Sequence, residues 1–378
     1  MERKRKIIFI NNLSHGGAER VVSRLFKNEA IRTVTSLWVL NNNEFYENKS
    51  LNKVSFNSKF PIISILKSIC KLVFLPDDYV VQSHLNNPNL TCGLAKIFGA
   101  NFAFQSVHCF SYSSFYNSKS NITKFVHRTL MSMALKQANV HIFKSKEMLS
   151  DFNDVFGWTP ENHRVIYNPY NIDEIKELAQ EIIDEPVDDN RYHIAIVGRL
   201  NPSKRPYDVI KIAESFQDNC HFHFFGNGSL KNELQEYVRH KELKNITFHD
   251  MVENPFKYIN KFGFYLSCSE AEGFPNALIE SMISKAIPIH SDCKTGPKEI
   301  LCDDFLNYSA SKGEFSHEKR GILFPVGDIE AACKAISYAI ENQYILSSEF
   351  ENNSKGFIDS ISHQEITSKY AEVLECHH

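Results

Sequence analysis

The sequence predicts an α/β protein built from two parallel-sheet domains in series. Three observations carry this. Short apolar runs recur with the length of buried strands, helical stretches alternate with them, and the alternation breaks at an acidic, proline-containing stretch before starting again. The 378 residues exceed one ordinary core and suit two domains of roughly 150–200 residues.

In chain order, Lys6–Asn11 is an apolar run ending in polar residues and reads as a buried parallel strand. Ser14-His15-Gly16-Gly17-Ala18-Glu19-Arg20 follows, then Val21, Val22, Leu25 and Phe26 at helical spacing: strand, glycine turn, helix. Ser36–Leu40, Tyr79–Ser83, Asn101–Val107 and Val140–Phe143 are further strands, with a helix over Asn121–Gln137. Val165–Pro169 reads as the last strand of the first domain and Glu181–Asn190 as the linker. The pattern restarts with strands at His193–Val197, His221–Phe225, Phe264–Cys268, Ile287–His290 and Gly321–Phe324, and helices at Tyr207–Phe216 and Leu230–His240. Ser354–Leu374 is helical in pattern. The expected domains are 1–178 and 179–353, with a terminal helix in 354–378 that crosses back to the first domain.

Composition narrows the function. No segment reaches the ~20 unbroken apolar residues that span a bilayer, and the apolar run after Arg3-Lys4-Arg5-Lys6 is too short for a secretory signal. Nine scattered cysteines without a C-x-x-C pair point to reduced thiols in a cytoplasm. Residues 1–180 hold 22 Lys+Arg against 14 Asp+Glu, the remainder 20 against 31, so the first half is the one expected to meet something anionic. Pro61–Leu75 is an amphipathic helix with Lys67 and Lys71 on its polar face, which suits either an anionic membrane surface or a domain core. Location on the inner face of a membrane is the matching expectation; nucleic acid is not an expected partner.

Chemistry concentrates in loops that follow strands, where such sheets bind ligands. Glu272 and Glu280 lie eight residues apart around Gly273-Phe274-Pro275-Asn276, at the start of a helix whose free amides favour hydroxyls or phosphate oxygens. Arg199 and Lys204 follow the strand His193–Val197 and suit a diphosphate. Gly226 and Gly228 form a glycine turn that suits a nucleoside, though a plain turn reads nearly as well, and Lys231 stands where a dinucleotide fingerprint has its third glycine. Gly16 and Gly17 allow backbone amides to approach a phosphate, and His108 stands at the end of a strand.

Together these residues resemble glycosyltransferase family 4, the retaining group with the GT-B fold: two Rossmann-like domains facing each other across a cleft. Glu272 to Glu280 resembles its E-x7-E motif, Arg199 with Lys204 its basic pair, and Gly16-Gly17-Ala18-Glu19-Arg20 an amino-terminal motif of bacterial surface-glycan enzymes. Asn168-Pro169 with Asp173, Gly296-Pro297-Lys298-Glu299-Ile300 and Gly321 through Asp328 resemble further family motifs. The resemblance implies that Arg199 and Lys204 hold the diphosphate and Glu280 the ribose. Glu272 and the backbone of Phe274, Pro275 and Asn276 would hold the donor sugar, and His108 its distal hydroxyl. The Gly16-Gly17 amides would reach the phosphates or the acceptor side. It also implies a UDP-sugar as donor, a hexose or N-acetylhexosamine as the group moved, a glycan or lipid-linked glycan as acceptor, and domain closure to exclude water. No D-x-D sequence occurs, so no metal cofactor is expected. A nucleotide-sugar epimerase of the same fold and a non-catalytic nucleotide-sugar-binding protein are the alternatives.

Overall fold

The computed structural model describes residues 5–14, 16–46, 52–117, 119–183, 187–188 and 190–376. Arg3, Lys4, His15, part of the expected linker and the last two histidines lie outside the described residues. The chain forms two compact units: Met1–Tyr170 with Ile361–His378, and Asn171–Ser360.

The first unit is a seven-stranded sheet of β1 (Arg5–Ile10), β2 (Thr35–Val39), β3 (Lys53–Ser55), β4 (Tyr79–His84), β5 (Ala103–His108), β6 (Val140–Phe143) and β7 (His163–Val165), in the order β3-β2-β1-β4-β5-β6-β7. Every pairing is parallel. Its helices are α1 (Gly17–Lys27), α2 (Glu29–Arg32), α3 (Pro61–Val73), α4 (Asn86–Ile97), α5 (Tyr112–Asn117), α6 (Asn121–Leu135) and α7 (Lys146–Phe156). Consecutive apolar residues in β1, Ile7 to Ile10, are all buried, because helices cover both sheet faces. Side chains start the helices where the sequence offers a cap: Ser145 accepts from the Met148 amide at 3.0 Å, and α7 ends at Gly157 in the left-handed conformation. Gly93 lets α4 approach α6, since a Cβ there would stand 2.4 Å from the Ala134 carbonyl oxygen.

The second unit repeats the plan. It comprises α8 (Ile172–Ala179), β8 (Tyr192–Val197), a short 3-10 turn at Pro202–Lys204, α9 (Pro206–Glu214), β9 (Cys220–Phe225), α10 (Lys231–His240), β10 (Ile246–Phe248), α11 (Phe256–Phe262), β11 (Phe264–Ser267), α12 (Asn276–Ile283), β12 (Ile287–Ser291), α13 (Pro297–Leu301), β13 (Ser316–Glu318), β14 (Gly321–Phe324), α14 (Ile329–Glu341) and α15 (Gln343–Ser360). The order is β10-β9-β8-β11-β12-β14-β13, with β13 alone antiparallel among the described strands. The last helix, α16 (His363–Glu375), belongs to the first unit.

Several expectations are corrected. The division falls at Tyr170 and not Pro- and acid-rich residues further on, because α8 buries Ile175 and Ala179 with the second unit and Asn254 Nδ2 donates to the Leu178 carbonyl at 2.8 Å. The terminal helical stretch is two helices. Ser362 caps α16 at 3.4 Å, and the break places only α16 with the first unit, where Ile366, Tyr370 and Leu374 are buried. There Lys144 Nζ donates to the Tyr370 hydroxyl and Gln105 Nε2 to the Val373 carbonyl at 2.6 Å. The run Val165–Pro169 contributes only Val165 to a strand, β7. Strands β3, β10 and β13 were not anticipated, since three residues are too short to show a period.

Candidate functional site

In the second unit, the loops after β8 and β11, neighbouring strands, meet at the carboxyl-end edge of the sheet. Asn201 Oδ1 accepts from the Lys204 amide at 3.3 Å and from Ser203 Oγ at 3.0 Å, which winds Pro202–Lys204 into its 3-10 turn. The Glu270 amide then donates to the Ser203 carbonyl at 2.8 Å, tying this turn to the loop after β11. That tie sets Lys204 Nζ against the Glu272 carboxylate in an ion pair. Burial pushes the Glu272 carboxyl up, but Lys204, His290 and Ser269 outweigh burial and hold it below the ordinary value.

Backbone fixes Glu272 from the other side. Its amide donates to the Lys294 carbonyl at 2.7 Å, the Thr295 amide donates to the Glu272 carbonyl at 3.1 Å, and Thr295 Oγ1 reaches the Gly273 carbonyl at 3.0 Å. Gly296, at φ +108°, backs onto this loop, and a Cβ there would stand 2.9 Å from Pro275. The Gly296–Ile300 motif thus supports the acid from behind. The cap of α12, Pro275, makes no side-chain hydrogen bond to the first turn. Phe274 and Pro275 are buried. Glu280, in the second turn of α12, is buried and not the surface residue its helix position allowed. Both Glu272 and Glu280 lie close enough to the buried Tyr265 hydroxyl to reinforce the effect of burial in raising it. Arg199 is exposed on the loop after β8, and Glu270 is exposed as well, so Glu272 is the acid paired with Lys204.

Gly226 and Gly228 have a definite structural use. The Gly198 and Leu200 amides donate to Phe225 and Asn227 carbonyls, each at 3.0 Å, and the Leu230 amide returns to the Leu200 carbonyl at 3.0 Å. A Cβ on Gly226 would lie 2.0 Å from the Gly198 carbonyl oxygen, and one on Gly228 2.3 Å from that of Leu200. These glycines seat the loop that carries Arg199 and Lys204.

Sequence reasoning missed His290. It is the penultimate residue of β12, opposite Ser267 of β11, and is fully buried. Its Nδ1 donates to the Ser291 carbonyl at 2.8 Å, and Nε2 is buried without a hydrogen-bond partner among the described residues. Burial lowers its pKa to about 4, against the opposing pull of Glu272. Its place at a strand's carboxyl end was the available signal.

The first-unit residues are placed differently from expectation. His108 is fully buried as the last residue of β5. Nδ1 meets the Tyr112 hydroxyl at 2.8 Å, Nε2 meets Ser106 Oγ at 3.2 Å and His141 Nδ1 at 3.1 Å, and the ring stacks 4.3 Å from Phe143. Burial depresses its pKa well below the usual value, so the ring is neutral. In this arrangement it offers no atom to a sugar. Gly16 precedes α1 and Gly17 opens it, but a Cβ on Gly16 would lie 1.8 Å from the Glu19 carboxylate. The chain's own anion therefore lies over Gly16, at the positive helix end where a phosphate was expected.

Residues 179–357 match the family model for glycosyl transferases group 1. The chain is 28% identical over 311 residues to N-acetylgalactosamine-N,N'-diacetylbacillosaminyl-diphospho-undecaprenol 4-alpha-N-acetylgalactosaminyltransferase of Campylobacter jejuni, covering 79% of this chain and 83% of that one. It is 28% identical over 160 residues to lipopolysaccharide 1,6-galactosyltransferase of Escherichia coli, covering 40% and 43%. Among solved structures, Anabaena Alr3699/HepE in complex with UDP superposes with a TM-score of 0.76 at 15% identity, over 98% of this chain and 99% of that one. The two parallel-sheet units are those of the GT-B fold. The chain is thus similar to the group 1 glycosyltransferases over residues 179–357, and it is a glycosyltransferase enzyme.

Proposed function

We propose that the protein moves a hexose or N-acetylhexosamine, with retention of configuration, from a UDP-sugar to a hydroxyl of a lipid-linked or surface-glycan acceptor. The observation that carries this reading is the Lys204–Glu272 pair at the carboxyl ends of neighbouring strands, beside the start of α12 and the buried Glu280. The names of the relatives, both transferases of glycan assembly, and the UDP bound to the Anabaena protein support the donor and acceptor classes.

In this reading the glycosidic C–O bond to the diphosphate breaks as the sugar passes through an oxocarbenium-like state, the acceptor hydroxyl oxygen forms the new C–O bond on the same face, and its proton passes to the departing phosphate. Arg199, Lys204 and the α12 amides face the negative charge that grows on the departing UDP, and because they are fixed before reaction they need little reorganisation. Glu272, kept ionised by Lys204, accepts hydrogen bonds from sugar hydroxyls and pairs with the Lys204 ammonium again once UDP leaves. Glu280 accepts from the ribose hydroxyls.

A panel of nucleotide-sugars tests this by thermal shift and by slow donor hydrolysis, comparing wild type with Arg199→Ala and Glu272→Ala. One UDP-sugar should stabilise the wild type and be hydrolysed by it alone. Variants that bind and cleave the donor as well as wild type would overturn the assignment.

A further inference from the structure

Behind the Lys204–Glu272 pair the second sheet is polar where a core is ordinarily apolar. Residues two apart on a strand share a face, so Tyr265 and Ser267 of β11 lie together, and Ser267 stands opposite His290 of β12. All three are buried, as is Ser269 just beyond the strand. Ser267 Oγ and Ser269 Oγ are 3.0 Å apart, Ser291 Oγ donates to the Ser269 carbonyl at 2.6 Å, and the Tyr265 and His290 rings are centred 6.4 Å apart. Through Ser269, whose hydroxyl bonds the Glu272 carboxylate, this layer reaches the acid itself.

An atom of this layer is left without a partner. His290 Nδ1 meets a carbonyl, which can only accept, so the proton of the neutral ring sits on Nδ1 and Nε2 is a bare acceptor. Nε2 is buried with no hydrogen-bond partner among the described residues, an arrangement uncommon in native proteins. The ionisable groups around the ring are Glu272 and Lys204 on the loops after β11 and β8, and Tyr265 on β11 with Glu280 and Cys293 beside it, while Asp292 faces Lys298 and Glu318. Two of these act on the ring with opposite sign. Glu272 favours its protonated form and Lys204 opposes it, and with burial added the ring stays neutral, its pKa down to about 4. Taking Lys204 away removes the opposing charge and leaves the Glu272 carboxylate without its counter-charge. A proton on Nε2 answers both changes, and it leaves the Nδ1 bond to Ser291 intact.

We propose that His290 is a positioning residue for Glu272: as an anionic diphosphate draws Lys204 away, the imidazole takes up one proton from solvent, and the imidazolium holds the carboxylate where it can accept from the donor sugar. The proton returns to solvent when the diphosphate leaves and Lys204 pairs with Glu272 again. This rests on the proposed function for the identity of the anion, but the pairing of His290 with Glu272 once Lys204 is gone can be read without any donor.

Lys204→Met provides that reading. Histidine-labelled protein is titrated by NMR from about pH 7.5 to 4.5, with the His290 signal identified by its loss in His290→Gln. In wild type this signal should keep its neutral shift down to about pH 5. In Lys204→Met its midpoint should rise by about 1–3 pH units, and in Lys204→Met with Glu272→Gln it should fall back. Dispersed amide spectra certify that each variant is folded. A midpoint unmoved by Lys204→Met overturns the proposal, and so does a rise that survives Glu272→Gln. Calorimetry of UDP binding near about pH 5.5, in two buffers of different ionisation enthalpy, reads the coupled proton. Wild type should take up roughly a fifth of a proton or more per UDP beyond His290→Gln, a difference from which the titration of UDP itself cancels. Equal uptake by the two proteins overturns the proposal while leaving the donor reading in place. Absence of UDP binding to wild type overturns the donor reading, and the donor-linked part of the proposal with it.

Discussion

Gly226→Ala separates a glycine needed for packing from one needed for ligand. The added Cβ would start 2.0 Å from the Gly198 carbonyl oxygen, against roughly 3.3 Å for a close C···O contact, so backbone must move by more than an ångström. Gly226 also has φ +145°, where an L side chain adds about 1–3 kcal/mol of strain. Overpacking adds about 1–3 kcal/mol more. A total near 3–4 kcal/mol, at about 2–4 °C per kcal/mol for a unit of this size, lowers the melting temperature by roughly 6–16 °C. Because the displaced loop carries Arg199 and Lys204, UDP affinity should fall as well. Differential scanning calorimetry with and without UDP reads both effects. A variant that melts within 1 °C of wild type yet fails to bind UDP would refute the packing argument and return Gly226 to direct ligand contact.

Other outcomes follow from the same geometry. Glu272→Gln leaves Lys204 without its counter-charge and should cut donor hydrolysis by about 10²-fold, measured as UDP release; a change under threefold removes Glu272 from the mechanism. Glu280→Gln should raise the UDP Kd about tenfold by calorimetry, the loss of a charge-assisted hydrogen bond. Tyr370→Phe deprives the buried Lys144 of its hydroxyl partner and should cost about 1–3 kcal/mol of stability while leaving UDP affinity unchanged. His141, lowered to about 3, and His290, lowered to about 4, stay neutral when folded, whereas unfolded histidine takes up a proton below about pH 6.5. Stability should therefore be flat above pH 6.5 and fall below it, each residue contributing about 2 kcal/mol of loss by pH 5; flat urea midpoints from pH 7 to 5 contradict their burial as neutral rings.

The sequence by itself determined the α/β alternation, the chemistry-bearing loops and the E-x7-E segment, because strand and helix periods and the residue types that recognise a diphosphate are local properties. The restart after the acidic stretch showed two domains for the same reason. Tertiary structure alone decided the rest. Whether α8 joins the first or second unit depends on what Ile175 and Ala179 pack against, and whether His108 faces a ligand or the Tyr112–His141–Phe143 cluster depends on side-chain partners 4 to 35 residues away. Gly226 and Gly228 look alike as a ligand loop or a packing contact until the Gly198 and Leu200 carbonyls are placed beside them. A continuous apolar run such as Ile7 to Ile10 announces its own burial, but the burial of His108, Glu280 or His290 is set by contacts between distant residues.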